Sequence, residues 1–235
     1  MAQPVIPDFG EASDCVTDNR LFCPDWVKEN WDPVLQPALV QHIYLTAIAV
    51  GIGFVISLGA ALLAHRLTHV ERPVAFLAVV IYTIPSLALF QLLVPVTGLT
   101  VTTVEIALVS YTVLIIFRNT LAGLRSVPPE VLEAARGMGL TRNQTLLRVE
   151  LPLAVPAIIA GVRIAVVSTI ALATVAAFVI SKGLGGPILG ALRLDFSTEI
   201  IAAGALAVGL AIIADVFLVL VERLVTPWAT TRRTA

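Results

Sequence analysis

Charged residues are scarce in this sequence. They make up 13% of its 235 positions, whereas a soluble domain carries about 25%. Hydrophobic residues make up 58%, and the mean hydropathy is +0.95. This shortage of charge excludes an ordinary water-soluble domain and predicts that lipid is the main solvent of the chain. The net charge is −1, and no basic stripe with interleaved aromatic residues indicates nucleic-acid binding.

Residue patterns that carry enzyme chemistry are also missing. The three histidines, His42, His65 and His69, have no further ligands at the spacing of a metal site. No G-x-x-x-x-G-K-[ST] phosphate loop occurs, and no Ser–His–Asp arrangement is indicated. We therefore predict a chain that is not an enzyme, holds no metal or cofactor, and takes any energy it needs from a partner.

The amino-terminal segment, residues 1–36, differs from the rest. It contains seven acidic and two basic residues, and it lacks the basic and apolar regions of a cleaved signal peptide. We expect an acidic tail outside the membrane domain. Both cysteines, Cys15 and Cys23, lie in this tail. They would pair in an oxidising compartment and stay free thiols in a reducing one.

Five segments are long and apolar enough to cross a bilayer, which requires about 20 residues. They cover residues 39–64, 74–96, 101–123, 153–181 and 199–222. These segments predict an all-α integral membrane protein with five transmembrane helices. The membrane domain is expected over 37–228, followed by a short tail over 229–235.

Basic residues are distributed unequally between the two sides of the predicted spans. Nine lysines and arginines lie in the 65–73 loop, the 124–152 loop and the carboxyl-terminal tail, against four on the other side. The positive-inside rule therefore predicts an amino terminus outside and a carboxyl terminus in the cytoplasm. An odd number of spans agrees with this orientation.

The 124–152 loop contains ordered helix signals. Pro129 suits a first helical turn, and Gly139 suits a left-handed helix end. Thr141 and Gln144 form a capping-box pattern for a second helix, which we expect to end just before the fourth span. The loop therefore predicts a helix–turn–helix elbow on the cytoplasmic face, shaped to dock another protein.

Charged residues within the predicted spans include Arg118, Arg163 and Asp215. Charges at such depth are costly unless they are paired or hydrated, so we expect them to face the bundle interior or a water-filled cavity. One hypothesis is that Arg163 pairs with Asp215. The alternative is that each side chain extends separately to the interface.

Further polar residues lie in the second and third spans. Pro85 should bend the second span, with Ser86 available to bond the freed carbonyl. The bend would either line a pathway through the bundle or serve packing alone. Glu105 lies near the outer end of the third span, where a hydrated interface position is favoured over contact with a bound cation.

The elbow resembles the EAA loop of ABC importer permeases, whose pattern is E-A-A-x3-G-x9-I-x-L-P. Glu133-Ala134-Ala135, Gly139 and Val149-x-Leu151-Pro152 match it, with Val149 in place of isoleucine. In that family the first elbow helix is the coupling helix, which sits in a cleft of the ATP-binding subunit. The resemblance implies that the ATPase-coupling residues are Glu133, Ala134, Ala135, Arg136, Met138, Gly139, Leu151 and Pro152.

Other segments are similar to osmoprotectant permeases, which import glycine betaine, choline, carnitine or proline. The matches are T-I-P-S-L-A-L over Thr83–Leu89, R-N-T over Arg118–Thr120, G-V-R over Gly161–Arg163, the Gly183–Gly185 turn, and Asp215. Lys182 departs from the small residue usual in that group. The segment from Cys15 to Trp26 is similar to one in actinobacterial members. Pathway or structural roles are thereby implied for Thr83, Pro85, Ser86, Arg118, Asn119, Arg163 and Asp215.

The resemblance implies a type I importer permease in a bacterial plasma membrane. Its implied partners are two ATP-binding subunits that bind ATP and Mg, a separate solute-binding protein and a second permease. An unlike second permease is favoured, and a homodimer stays open. Methionine or sulfonate permeases share the loop. A stand-alone channel would not need the elbow, and the lack of an internal repeat argues against a secondary transporter. A membrane anchor or scaffold would not need buried Arg163 and Asp215.

Overall fold

The structure, a computed structural model, describes residues 14–227, so the predicted tail over 229–235 lies outside the described part. Every regular element within 14–227 is helical. The α-helices are α1 (Asp14–Thr17), α2 (Pro24–Glu29), α3 (Gln36–Arg66), α4 (Thr68–Thr83), α5 (Ser86–Thr97), α6 (Val101–Arg125), α7 (Pro129–Gly137), α8 (Arg142–Thr145), α9 (Leu151–Val175), α10 (Gly185–Leu194) and α11 (Ser197–Val225). Short π or 3₁₀ segments cover Trp31–Leu35, Leu146–Glu150 and Ala176–Phe178.

Four continuous helices are long and apolar enough to cross a membrane. They are Trp31–Arg66, Val101–Arg125, Arg142–Phe178 and Ser197–Val225, named here spans 1, 3, 4 and 5. The helices α4 and α5 together pass the same test as a bent pair, named here span 2. By length and composition, the described residues therefore contain four candidate membrane spans, or five if the bent pair counts as one span. This confirms the predicted all-helical membrane class.

Span 2 is broken instead of continuous over 74–96 as predicted. Its two helices meet at 99°, because Ile84 precedes a proline and adopts an extended conformation with ψ of 126°. The Ile84 carbonyl at the break accepts a hydrogen bond from the hydroxyl of Tyr111 in span 3. Tyr111 thus binds a backbone carbonyl at the break from a neighbouring span. The Ile81 carbonyl, which Pro85 would free, instead accepts from the Ile84 N–H at 3.2 Å.

Span 3 lies at the centre of the bundle, between spans 1 and 4. Small residues permit this close packing. A β-carbon on Gly53 of span 1 would lie 1.7 Å from the Thr112 hydroxyl oxygen, and one on Gly161 of span 4 would lie 2.6 Å from the Asn119 β-carbon. The G-V-R and R-N-T motifs are therefore joined by direct helix packing between spans 4 and 3.

Span 4 begins earlier than predicted. We expected the second elbow helix to end before Pro152, but the helix continues from Arg142 to Phe178. The π segment Leu146–Glu150 precedes Pro152 directly, and such a widened turn accommodates the hydrogen bond that proline cannot donate. The second half of the elbow and span 4 are consequently one helical body.

Candidate functional site

The first elbow helix, α7, ends in a Schellman motif. Gly139 has a φ of +79°, the Leu140 N–H donates to the Ala135 carbonyl at 3.1 Å, and the Gly139 N–H donates to the Arg136 carbonyl at 2.9 Å. These two bonds satisfy carbonyls that a helix end otherwise leaves free. Glycine is the residue that adopts the left-handed conformation without strain. The turn that separates the two elbow helices therefore depends on Gly139.

The second elbow helix begins with the predicted capping box. The Thr141 N–H donates to the Gln144 side-chain oxygen at 2.8 Å, and the Gln144 N–H donates to the Thr141 hydroxyl at 3.4 Å. The two reciprocal bonds fix where the helix starts. Gly139, Thr141 and Gln144 thus form the helix end and the helix cap that the sequence predicts.

The motif residues of the elbow occupy three different environments. Ala135 is the buried side chain of α7, Gly139 forms the turn, and Leu151 and Pro152 lie half-buried at the start of α9. The other predicted coupling residues are all exposed, namely Glu133, Ala134, Arg136 and Met138. Glu130 and Val131, on the same helix, are also exposed. The exposed face of α7 thus combines apolar side chains, including Met138 at 72% exposure, with charges of both signs.

Arg163 and Asp215 form a two-point contact between spans 4 and 5. Arg163 Nε lies 2.8 Å from Asp215 Oδ1, and Nη2 lies 3.0 Å from Oδ2. A second acid, Glu222, lies 3.6 Å from Arg163 Nη1. All three side chains are 28–37% exposed in this chain. One guanidinium therefore serves two carboxylates.

Glu222 is the charged residue of this cluster that we missed in the sequence. It is the last residue of the predicted fifth span over 199–222, and we assigned it no role from the sequence. Glu222 lies seven residues, or two helical turns, after Asp215, so the two acids share one helix face. This spacing could have placed Glu222 beside Asp215 from the sequence alone.

The other predicted pathway residues of spans 2 and 3 are dispersed. Arg118 is exposed and forms no ion pair within residues 14–227. Asn119 packs against Gly161 and donates to the Ile115 carbonyl at 2.8 Å. At the break in span 2, Thr83 and Pro85 are exposed and Ser86 is half-buried. Of the seven predicted positions, the structure brings Arg163 and Asp215 into direct contact across helices. Asn119 contacts Gly161, which is outside that set.

Glu105 in span 3 does not occupy the hydrated position that we expected. Both its carboxylate oxygens are buried and accept no hydrogen bond from the described residues, and the Thr46 hydroxyl of span 1 is in the same condition. A buried carboxylate without a partner is costly in a membrane. Glu105 is thus a polar group for which residues 14–227 supply no partner.

The two cysteines are joined, and Cys15–Cys23 closes a loop that we name the amino-terminal clasp. The clasp binds the start of span 5. Asn19 donates to the Asp195 carbonyl at 2.5 Å and accepts from the Ser197 N–H at 3.0 Å. The clasp therefore holds together segments that are 176 or more positions apart in the chain.

Two more contacts complete the clasp. The Cys23 N–H donates to the Thr198 hydroxyl at 3.1 Å, and Thr198 in turn donates to the Arg20 carbonyl at 3.3 Å. Just beyond the disulfide, Trp26 packs edge-to-face on Phe196, with ring centroids 5.1 Å apart. The acidic tail is thus attached to the membrane domain rather than extending away from it, over the part that the structure describes.

His42 has a structural role. It is fully buried, its Nδ1 accepts from the Leu184 N–H at 3.2 Å, and its Nε2 lies 3.0 Å from the Ile170 carbonyl. Gln41 accepts from the N–H of Gly183, whose φ is +68°. The glycine-rich turn before α10 is thereby attached to span 1.

A groove of about 800 Å³ runs between spans 1, 4 and 5. Its lining is almost wholly apolar and includes Ile43, Phe54, Ile158 and Phe217, with Thr46 as a polar member. No charged residue of the described chain lines it. The groove is therefore unsuited to holding a charged solute.

Comparisons with known proteins agree with this architecture. The family described as "Binding-protein-dependent transport system inner membrane component" matches residues 45–228. The chain is 36% identical over 188 residues to the glycine betaine/carnitine/choline transport system permease protein OpuCB of Bacillus subtilis, covering 80% of this chain and 86% of the relative. It is 35% identical over 203 residues to the glycine betaine/carnitine/choline transport system permease protein OpuCD of the same organism, covering 86% of this chain and 88% of the relative.

A solved structure also shares the fold. An inward-facing conformation of the MetNI methionine ABC transporter matches with a TM-score of 0.70 and 21% identity, covering 85% of this chain and 98% of that one.

Proposed function

Because this chain belongs to the family of binding-protein-dependent transport system inner membrane components, we propose that it works as an ATP-driven importer permease with α7 as its coupling helix. The observation that carries the proposal is the elbow. Its first helix ends in a Gly139 turn and exposes Val131, Glu133 and Met138. Such a mixed apolar and charged face suits the cleft of a partner protein.

The chain itself supplies no ATP site, so the energy is assigned to partners. Two ATP-binding subunits bind ATP and Mg, and closure of the pair moves the two coupling helices together. The amino terminus lies outside and the elbow lies in the cytoplasm of a bacterial cell, as the distribution of basic residues favours. A disulfide in the clasp agrees with an oxidising outer side for the amino terminus. The membrane domain over 37–228 is the transport unit.

The cargo is assigned to the osmoprotectant class, namely glycine betaine, choline, carnitine or proline. A separate solute-binding protein delivers it. The support is the match to OpuCB and OpuCD, whose names specify the first three of these solutes. Two permease proteins of one system both resemble this chain, which favours an unlike second permease over a homodimer. A methionine or sulfonate importer is the competing assignment. Its support is weaker, because the likeness to the MetNI methionine transporter extends to the fold alone.

The function is tested by uptake of the four labelled solutes in cells with the gene, without it, and with substituted elbows. Gly139→Ala and Gly137→Ala form a matched pair, because an added β-carbon meets no atom within 4 Å at either position. Only Gly139 has a positive φ, which costs a β-carbon-bearing residue roughly 1–2 kcal/mol. We expect Gly139→Ala to lower uptake at normal membrane levels and Gly137→Ala to leave it unchanged.

Either part of the proposal can fail separately. Unchanged uptake of all four solutes on deletion would refute the osmoprotectant assignment, and amino acids and sulfonates would be measured next. Equal uptake by the two glycine variants would refute the coupling role of the elbow turn.

A further inference from the structure

The second half of the elbow is bound to the cytoplasmic end of span 1. His65 Nε2 lies 2.6 Å from Glu150 Oε2, across 85 positions of sequence. The two side chains are only 22% and 13% exposed, so water competes little for this contact. Glu150 occupies the variable position between Val149 and Leu151 of the elbow motif. The contact is therefore a feature of this chain's own residues.

A second polar contact lies on the same segment. Arg142 Nη2 donates to the carbonyl of Arg66 at 3.0 Å. Arg66 is the last residue of α3, where the free carbonyls form the negative end of the helix dipole and favour a cation. Two side chains of the second elbow helix thus reach the same helix end.

Apolar packing accompanies these polar contacts. Leu146 of the elbow is 4% exposed and belongs to a cluster with Leu124 of span 3. Leu58 and Leu62 of span 1 pack against that cluster. The elbow segment over 142–150 is consequently held to span 1 by the His65–Glu150 contact, a helix-end contact and a buried leucine.

The first elbow helix is attached much more loosely. Ala135 is its buried side chain, and its principal packing partner is α8. A displacement of α7 therefore passes first to the segment over 142–150. From there it reaches span 4 through the continuous helix and span 1 through the His65–Glu150 contact.

We propose that His65 and Glu150 are a positioning pair through which span 1 follows the movement of the elbow. The proposal rests on the proposed function, because it takes α7 to be the element that the ATP-binding subunits move. It adds that spans 1 and 4 respond together at the cytoplasmic face. Neither residue touches solute or nucleotide in this role.

The test uses the full-length chain assembled with its partner subunits in membrane vesicles. Solute uptake and ATP hydrolysis are measured in the same vesicles for His65→Ala, Glu150→Ala and the double variant. We expect each single change to lower the solute imported per ATP by about tenfold while hydrolysis continues. The double variant should be no worse than either single variant, because one shared interaction is lost.

A conservative variant separates positioning from general stability. The His65→Gln side chain can still donate a hydrogen bond to the Glu150 carboxylate, so it should restore most of the ratio. The matched control is the Glu71–Arg125 contact, in which Arg125 Nη1 lies 2.8 Å from Glu71 Oε1 and which joins α4 to span 3 without touching the elbow. We expect Glu71→Gln to leave the ratio unchanged.

Three outcomes would overturn the proposal. Uptake and hydrolysis could fall by one common factor in His65→Ala, the single effects could add in the double variant, or Glu71→Gln could lower the ratio equally. The proposed function is judged on the wild-type complex alone, through ATP-dependent uptake. A failure of the proposed function is therefore seen before any variant is compared.

Discussion

Arg163 faces two carboxylates at once, with a two-point contact to Asp215 and a single longer approach of 3.6 Å to Glu222. The cluster carries one positive and two negative groups, so its parts are not equivalent. Loss of the arginine leaves two acids without a partner, whereas loss of Asp215 leaves an arginine that still has Glu222.

This asymmetry predicts the order of stability among variants. Arg163→Ala should lower the free energy of unfolding by roughly 2–3 kcal/mol, below the value for fully buried pairs because these side chains are partly exposed. Asp215→Asn should cost less than Arg163→Ala, because Arg163 keeps its contact with Glu222, and the double variant should be less destabilised than the sum. Thermal unfolding of the purified protein in detergent measures all three. Equal losses for the two single variants would contradict the account.

The packing of span 4 on span 3 predicts a strong effect at one glycine. A β-carbon at Gly161 would lie 2.6 Å from the Asn119 β-carbon, so Gly161→Ala should destabilise the protein by about 1–3 kcal/mol. Gly51→Ala is the control, since nothing lies within 4 Å of its added carbon, and it should be neutral or stabilising. A neutral Gly161→Ala in the same thermal assay would refute the close approach.

The amino-terminal clasp predicts a local loss of order when its disulfide is removed. The loop is closed by residues 8 positions apart, for which loop-closure entropy amounts to about 2–3 kcal/mol. Cys15→Ser and Cys23→Ser should therefore accelerate proteolytic cleavage within residues 15–30. Lys28→Ala, which removes only an exposed contact with Asp25, is the control. Identical cleavage rates in all variants would show that the remaining hydrogen bonds suffice.

Glu105 predicts a gain of stability on substitution. Its carboxylate oxygens are buried without a hydrogen-bond partner in the described chain, and replacing such a group by an apolar one of similar shape removes an uncompensated desolvation cost. Glu105→Met should raise the unfolding temperature of the isolated chain, by the equivalent of about 1–3 kcal/mol. A fall would show that the carboxylate has a stabilising partner outside residues 14–227.

Local signals made much of this molecule predictable. The glycine stop at Gly139, the capping box at Thr141 and the apolar runs of spans 1, 3, 4 and 5 depend on residues near one another in sequence. The family resemblance likewise rested on short motifs of neighbouring residues. Physical effects of this kind can be identified without knowing which helices meet.

Tertiary packing determined what the sequence did not reveal. A proline at position 85 predicted a bend, but the 99° break also depends on Tyr111, which reaches the Ile84 carbonyl from another span. The burial of Glu105 and the contact of His65 with Glu150 likewise require knowledge of the neighbouring helices. The helix of span 4 continues through Pro152 because of the π turn over Leu146–Glu150. The proline alone predicted a helix end at this point.

The amino-terminal clasp also places a limit on the order of biosynthesis. Asn19 is made early, but its partners Asp195 and Ser197 are translated at the start of the last span. The disulfide can close as soon as both cysteines reach an oxidant, whereas the contacts with span 5 must wait until that helix has been inserted. Docking of the clasp therefore marks a chain whose insertion is complete, and a nascent chain halted before span 5 would display the same loop undocked.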